Sequence, residues 1–257
     1  MRATIVRGAG LGVLLFGMSS VPSAQGLAQQ SQPDLVSGAS EMGHEGALRW
    51  FNLTVDQLEY QFVRNGRDGL KWDFQADYGG DINRVVLRSE GTKLTGDSYE
   101  EAEVQLLYSR SVGDFYDAQG GIRYDLGNDP RRAYGVFGIQ GLAPYFVELE
   151  ALAFVSDEGE FSGRLEAEYD LLITNRLILQ PNVELNVALN QVREREVGRG
   201  FNDIETGLRL RYEFTRVFAP YIGVNYERKL GDTADFADDE GEDKDAFSFV
   251  SGIRLVF

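Results

Sequence analysis

From Phe161 to Leu171 every second position is apolar or small: Phe161, Gly163, Leu165, Ala167, Tyr169 and Leu171. The residues between them are Ser162, Arg164, Glu166, Glu168 and Asp170. After a two-residue step at Thr174–Asn175 the rhythm resumes as Leu177, Leu179, Pro181, Val183, Leu185, Val187 and Leu189. Its interleaved set is Arg176, Ile178, Gln180, Asn182, Glu184, Asn186 and Asn190. Side chains alternate faces along a strand, so this is a long hairpin with one apolar and one charged face. Strands of soluble sheets usually run about five or six residues. Runs of about eleven or more, repeated along a chain, suit a tilted crossing of a bilayer. The pattern predicts an all-β fold, an antiparallel transmembrane β-barrel of about 12 strands.

The predicted strands cover roughly 48–64, 69–79, 81–90, 99–111, 115–126, 131–141, 145–156, 161–173, 176–190, 201–214, 218–230 and 246–257. Outward-facing candidates are Leu70, Trp72, Phe74, Ala76 and Tyr78 in the second strand and Val104, Leu106 and Tyr108 in the fourth. The seventh offers Val147, Leu149, Ala151 and Ala153, and the tenth Ile204, Thr206, Leu208, Leu210, Tyr212 and Phe214. The third and sixth are poorly patterned. Links at Gly79–Asp81, Val112–Asp114, Leu142–Pro144, Thr174–Asn175 and Thr215–Val217 are short, whereas the alternate links tend to be longer and more polar. Outer-membrane barrels have an even strand number, short periplasmic turns and longer outer loops. With both termini periplasmic, the long links fall outside.

The first residues change the picture. Arg2 and Arg7, the apolar run Gly8–Met18 and small residues near Ala24 or Ala28 read as a signal peptide over residues 1–28. Residues 29–46 are polar and poor in apolar side chains, which predicts a short disordered segment placed in the periplasm or the lumen. The barrel is assigned to 47–257. No later run approaches about 18 apolar residues, so a closed barrel is the remaining way to cross a membrane. A formal net charge of −16 argues against nucleic acid as a partner, because phosphate binding needs a basic footprint. The absence of cysteine decides little.

In the last strand Phe247, Phe249, Ile253, Leu255 and Phe257 share one face, with Ser248, Val250, Gly252, Arg254 and Val256 opposite. The final Phe257 resembles the assembly signal of bacterial outer-membrane barrels, although Val250 departs from its usual polar position. The predicted inner face holds both signs of charge: Arg123, Glu148, Glu150, Arg164, Glu166, Glu168, Asp170, Arg176, Glu184, Glu205, Arg209, Arg211, Glu213 and Glu227. So many ions need partners or water. They either brace the wall or form a cation pathway, with Glu148, Glu150, Glu166 and Glu168 as candidate metal ligands. The acidic run Asp232–Asp245 reads as a solvated loop that concentrates cations near the mouth, or as a hard-oxygen site for Ca²⁺ or Mg²⁺. Met42 and His44 offer a thioether and an imidazole suited to copper.

Longer words of the sequence carry a resemblance. They include Gly79-Gly80-Asp81-Ile82-Asn83-Arg84 with Arg88-Ser89-Glu90-Gly91, and Ala102-Glu103-Val104-Gln105 with Leu107-Tyr108-Ser109-Arg110. Others are Gly141-Leu142-Ala143-Pro144-Tyr145, Leu177-Ile178-Leu179-Gln180-Pro181, Phe218-Ala219-Pro220-Tyr221, and Glu227-Arg228-Lys229-Leu230-Gly231-Asp232-Thr233-Ala234. Over residues 47–257 the chain resembles the CopB/PcoB family of outer-membrane copper resistance proteins. The resemblance implies a non-enzymatic barrel in the Gram-negative outer membrane, in contact with its lipid, working beside periplasmic copper-handling proteins, with copper ion as its ligand. Many members carry an N-terminal extension with repeated Met/His motifs; here only Met42-Gly43-His44 remains.

Three function classes follow. The first is a copper resistance protein that binds copper or lets it cross the outer membrane. The second is a general diffusion porin or a structural barrel. The third, an enzyme built into the wall, needs a histidine as general base. The sole histidine is His44, outside the predicted barrel.

Overall fold

The computed structural model describes residues 49–64, 66–96, 99–127 and 131–257. The expected signal peptide and N-terminal segment, with Met42 and His44, lie outside the described residues. Thirteen strands run through the described residues. They are β1 (Trp50–Val63), β2 (Gly69–Gly79), β3 (Asn83–Leu94), β4 (Tyr99–Ser111), β5 (Tyr116–Asp125), β6 (Ala133–Ala143) and β7 (Val147–Ser156). Then come β8 (Phe161–Tyr169), β9 (Leu171–Leu172), β10 (Leu177–Ala188), β11 (Gly200–Tyr212), β12 (Phe218–Lys229) and β13 (Asp245–Val256). β8 and β9 both pair with β10 and are two pieces of one wall strand. The break falls where the register sets Tyr169 against Pro181, which has no N–H to give the ladder. The wall therefore has the expected twelve strands.

Each strand pairs antiparallel with its neighbours, and β13 returns onto β1, so the sheet closes. At the seam Phe257 N donates to Leu53 O at 2.9 Å and Leu53 N donates to Phe257 O at 3.1 Å. Closure leaves no unpaired edge, which a hydrocarbon environment requires.

The two faces are inverted relative to a soluble sheet. In β2, Leu70 and Tyr78 are exposed and Trp72, Phe74 and Ala76 half-buried, while Asp73, Gln75 and Asp77 are buried. Apolar side chains thus point away from the lumen, as predicted, and meet lipid. The third strand runs from Asn83 to Leu94 rather than over 81–90, and the sixth from Ala133 to Ala143 rather than over 131–141. Their weak alternation has a cause. Val86, Leu107, Val136, Leu152 and Phe154 point inward and pack together, filling the lumen beside the β3–β7 wall. In β1 the register slips around Asp56 against both neighbours. This bulge moves the inward set onto Gln57, Glu59 and Gln61.

Turns at 80–82, 112–115, 144–146, 173–176 and 213–217 close one end, and the longer links lie at the other. Two of the longer links are built. Residues 193–195 form a 3-10 turn, and the acidic run expected as a loop contains helix α1 (Gly231–Glu240). Ala234 and Ala237 are buried against the barrel rim, and Gly241, at φ 77°, ends the helix with its N–H on the Ala237 and Asp238 carbonyls.

Candidate functional site

Inward alternation together with register builds one luminal row. Glu150 of β7 stands opposite Glu166 of β8, and Glu166 opposite Glu184 of β10. Glu184 in turn faces Glu205 of β11, which faces Glu227 of β12. Like charges directly opposite on paired strands are destabilising. Counter-charges arrive from elsewhere on the wall. Arg88 Nη1 of β3 is 2.7 Å from Glu150 Oε1, Arg164 Nε of β8 is 3.2 Å from Glu184 Oε1, and Lys71 Nζ of β2 is 2.7 Å from Glu205 Oε1.

A second row begins with Glu148 opposite Glu168, to which Gln180 Nε2 donates at 2.9 Å. The four predicted metal ligands, Glu148, Glu150, Glu166 and Glu168, are thereby brought together as two cross-strand pairs. Among the described residues no three His, Asp or Glu side chains converge closely enough to hold a metal ion directly. Of the predicted inner-face charges, Arg176 is exposed in the 173–176 turn and does not line the wall. Glu227 is exposed at the upper end of the lumen.

Residues that alternation alone did not single out complete the site. Glu59 is fully buried and receives Arg209 Nε at 3.0 Å, Arg209 Nη2 at 3.1 Å and Tyr221 OH at 3.0 Å. Arg209 Nη1 also donates to Asn182 Oδ1 at 3.0 Å. Gly252 leaves room for this arrangement, because a Cβ there would lie 2.7 Å from the Tyr221 ring. Arg88 is held in the same manner, donating to Gln75 at 2.9 Å and to Gln140 at 3.0 Å as well as to Glu150. At the bulge, Arg254 Nε reaches Asp56 Oδ1 at 3.0 Å. The signal for Glu59 was its place in Gln57-Glu59-Gln61, hidden by the bulge before it.

Above these clamps a cavity of about 380 Å³ opens toward the long-loop end. Its lining carries ten carboxylates against four basic groups, Lys71, Arg123, Arg164 and Arg195. Arg123 bridges Glu103 (2.8 Å) and Asp125 (2.7 Å) while its guanidinium lies over the Tyr134 and Phe154 rings. The 189–199 loop folds over the mouth: Arg195 donates to Asp125 at 2.7 Å and also to the Tyr134 hydroxyl. Gly198 N donates to Thr233 Oγ1 of α1 at 2.9 Å, and the Arg193 guanidinium sits 6.0 Å from the Phe236 ring centre. The site is an acidic vestibule of about 380 Å³ with a partial roof and a floor of cross-lumen ion pairs. Such a wall attracts cations and repels anions.

Residues 49–257 match the family described as copper resistance protein B precursor. The chain belongs to the copper resistance protein B family. A copper resistance protein B homolog of Pseudomonas syringae pv. tomato is 44% identical over 214 residues, 83% of this chain and 72% of that one. A copper resistance protein B of Escherichia coli is 43% identical over 214 residues, 83% of this chain and 71% of its own length. Family membership supports a role in copper resistance. Among solved structures, the NanC porin superposes with a TM-score of 0.54 at 13% identity, covering 79% of this chain and 98% of its own. The KdgM porin gives 0.50 at 12% identity, covering 80% and 99%. At that identity these two speak for the fold alone. Together with the apolar exterior, they make this family member an outer-membrane β-barrel whose outer face meets lipid.

Proposed function

We propose that this member of the copper resistance protein B family takes up copper cations in its acidic vestibule and binds them or passes them across the outer membrane. One observation carries the reading: carboxylates outnumber basic groups by more than two to one around a cavity of about 380 Å³ open to the long-loop end. Glu148, Glu150, Glu166 and Glu168 would receive the ion below it, because they pair across β7 and β8 on the luminal face. Met42 and His44 would add a thioether and an imidazole from the N-terminal segment, and periplasmic copper-handling proteins would take the ion on or supply it. No catalytic step is assigned. The family and the barrel fit a binding or conducting role, and the sole histidine belongs to the N-terminal segment.

A general diffusion porin is the competing reading. The Arg209–Glu59 and Arg88–Glu150 clamps weigh against it, because they tie strands three and four positions apart in the wall together across the lumen beneath the cavity. The test compares survival in copper and periplasmic copper content in a deletion strain complemented with wild type or with Glu148, Glu150, Glu166 and Glu168 all changed to Gln. Wild type should restore both measures and the variant should not. Equal values in the deletion strain and its complement would remove the copper reading. Large bilayer conductance indifferent to copper would favour the porin.

A further inference from the structure

The core of the 189–199 loop is a small hairpin closed on itself. Val192 N donates to Val197 O at 2.8 Å, and Val197 N donates to Val192 O at 3.1 Å. Within this bridge Arg195 N donates to Val192 O at 3.1 Å, and Glu196, at φ 57°, turns the chain back. Residues 192–197 thus hold their shape through their own backbone.

The hairpin is fastened to the mouth in two unlike ways. On the β11 side the bonds involve its root backbone: Gly198 N donates to Thr233 Oγ1 at 2.9 Å, Asn202 Nδ2 donates to Gly198 O at 3.1 Å, and Gly198 is buried. On the far side the bonds involve side-chain tips. Arg195 Nη2 donates to Asp125 Oδ2, at the long-loop end of β5, at 2.7 Å, and Arg195 Nη1 donates to the Tyr134 hydroxyl of β6. Glu194 lies 3.8 Å from Arg132. β5 stands four wall positions from β10, past β8, β7 and β6, so the hairpin spans the mouth as a strap. Its Val192, Arg195 and Val197 line the vestibule.

The far-side fastening is also the one that releases without stranding a charge. Breaking a buried pair is costly when it leaves one charge uncompensated. Asp125 also accepts from Arg123 Nε at 2.7 Å, so it keeps a counter-charge when Arg195 withdraws. The Arg195 side chain is 13% exposed, and water takes over its donors on release. Arg193 already leans on α1, with its guanidinium 6.0 Å from the Phe236 ring centre. That is the side to which a released hairpin swings.

We propose that the 192–197 hairpin is a gate over the vestibule, pivoting at Gly198 where α1 holds it and latched shut by Arg195 on Asp125 and Tyr134. Closed, it narrows the entrance. Open, it folds back toward α1 and leaves Asp125 to Arg123. The latch is a partly exposed ion pair at the protein surface, so salt screens it and favours the open state. The inference goes beyond the copper reading and does not depend on which ion the vestibule admits.

The chain has no cysteine, so one introduced thiol reports on the entrance. Ser162→Cys places it in the vestibule wall, and Ser109→Cys places it at a fully buried position of β4. The probe is N-ethylmaleimide, a neutral reagent, applied to the refolded full chain in detergent. Arg195→Gln and Asp125→Asn should each speed labelling at position 162 about tenfold, the order expected when one hydrogen bond to a charged group is lost. The two changes remove opposite charges, so a shared acceleration cannot come from the local field. Added salt should speed labelling at 162 while Arg195 is present and have little effect in Arg195→Gln. Labelling at 109 should stay as it was. An unchanged rate at 162 in Arg195→Gln would make the hairpin a fixed roof, and equal acceleration at 109 would mean that the whole barrel had loosened; either overturns the proposal. If Arg195→Gln does not fold, Arg195→Lys serves instead. It keeps the charge but loses the fork that serves Asp125 and Tyr134 at once, so labelling at 162 should still speed up, and an unchanged rate overturns the proposal. The assay contains no metal, so the gate and the copper reading stand or fall separately.

Discussion

Arg209 and Glu59 are 150 positions apart in the chain, yet Arg209 Nε lies 3.0 Å from Glu59 Oε2 inside the barrel. The contact joins β11 to β1 across the intervening β12 and β13, so it can form only after the sheet has closed. Removing one partner of a buried pair leaves the other charge unpaired, at a cost of about 3–5 kcal/mol. Glu59→Gln should therefore lower the urea stability of the detergent-folded barrel by about that amount. Tyr221→Phe, which deletes one neutral donor to the same carboxylate, should cost about 1.5–3 kcal/mol, as for a hydrogen bond to a charged group. Changing Glu59 and Arg209 to Gln together should recover much of the loss, because no lone charge remains. A double variant as unstable as Glu59→Gln would show that the pair is not the source.

The apolar cluster inside the lumen makes a second, separable contribution. Phe154 is 3% exposed, packs with Val136 and Leu152, and lies under the Arg123 guanidinium at 5.0 Å. Phe154→Ala should destabilise the barrel by about 3–5 kcal/mol. It should also raise bilayer conductance by widening the filled side of the lumen. A loss of stability without a change in conductance would place the passage wholly on the acidic wall.

These two features explain which parts of the molecule could be read from the chain. Alternation alone placed β2, β4, β7, β8, β10 and β11, because their outer faces are apolar and their inner faces largely polar, Leu107, Leu152 and Phe154 being inward exceptions. It failed in β3 and β6, where Val86 and Val136 turn inward to build the dry cluster and so break the alternation of polar and apolar positions. In β1 the bulge at Asp56 breaks the period in mid-strand. The acidic run 232–245 looked like a loop because charge dominates it, but Ala234, Phe236 and Ala237 give it a face to bury and Gly241 ends it as a helix. For the site, the inward glutamates were visible as residues. Their alignment into one row was not, because register depends on turn lengths and pairing across strands. Cross-lumen partners such as Lys71 and Glu205 leave no local trace at all.

The lipid face gives the sharpest check of the inverted architecture. Leu106 is 48% exposed near the middle of β4 and stands opposite Ile122 of β5, both pointing away from the lumen. An arginine at a lipid-facing midplane position costs about 2–4 kcal/mol. Leu106→Arg should show that loss in urea unfolding from lipid vesicles and a much smaller one in detergent, where the headgroup layer is close. Equal stability of wild type and variant in vesicles would mean that this face does not meet hydrocarbon.

The roof of the vestibule should be separable from the barrel. Gly198 approaches α1 so closely that a Cβ on it would lie 2.4 Å from Thr233 N. That neighbour is backbone and cannot swing aside, so Gly198→Val must push helix and loop apart. The change breaks the Gly198 N to Thr233 Oγ1 bond and loosens the Arg193–Phe236 contact, while the β10–β11 ladder, anchored from Ala188↔Gly200 downward, is untouched. Arg193, Arg195 and Arg199 then become trypsin sites on a freed loop. Intact cells carrying Gly198→Val should be cut there by external trypsin faster than wild type, and both proteins should keep the same heat-modifiable band on gels. Cleavage that appears only after the outer membrane is permeabilised would place the long loops in the periplasm and reverse the barrel.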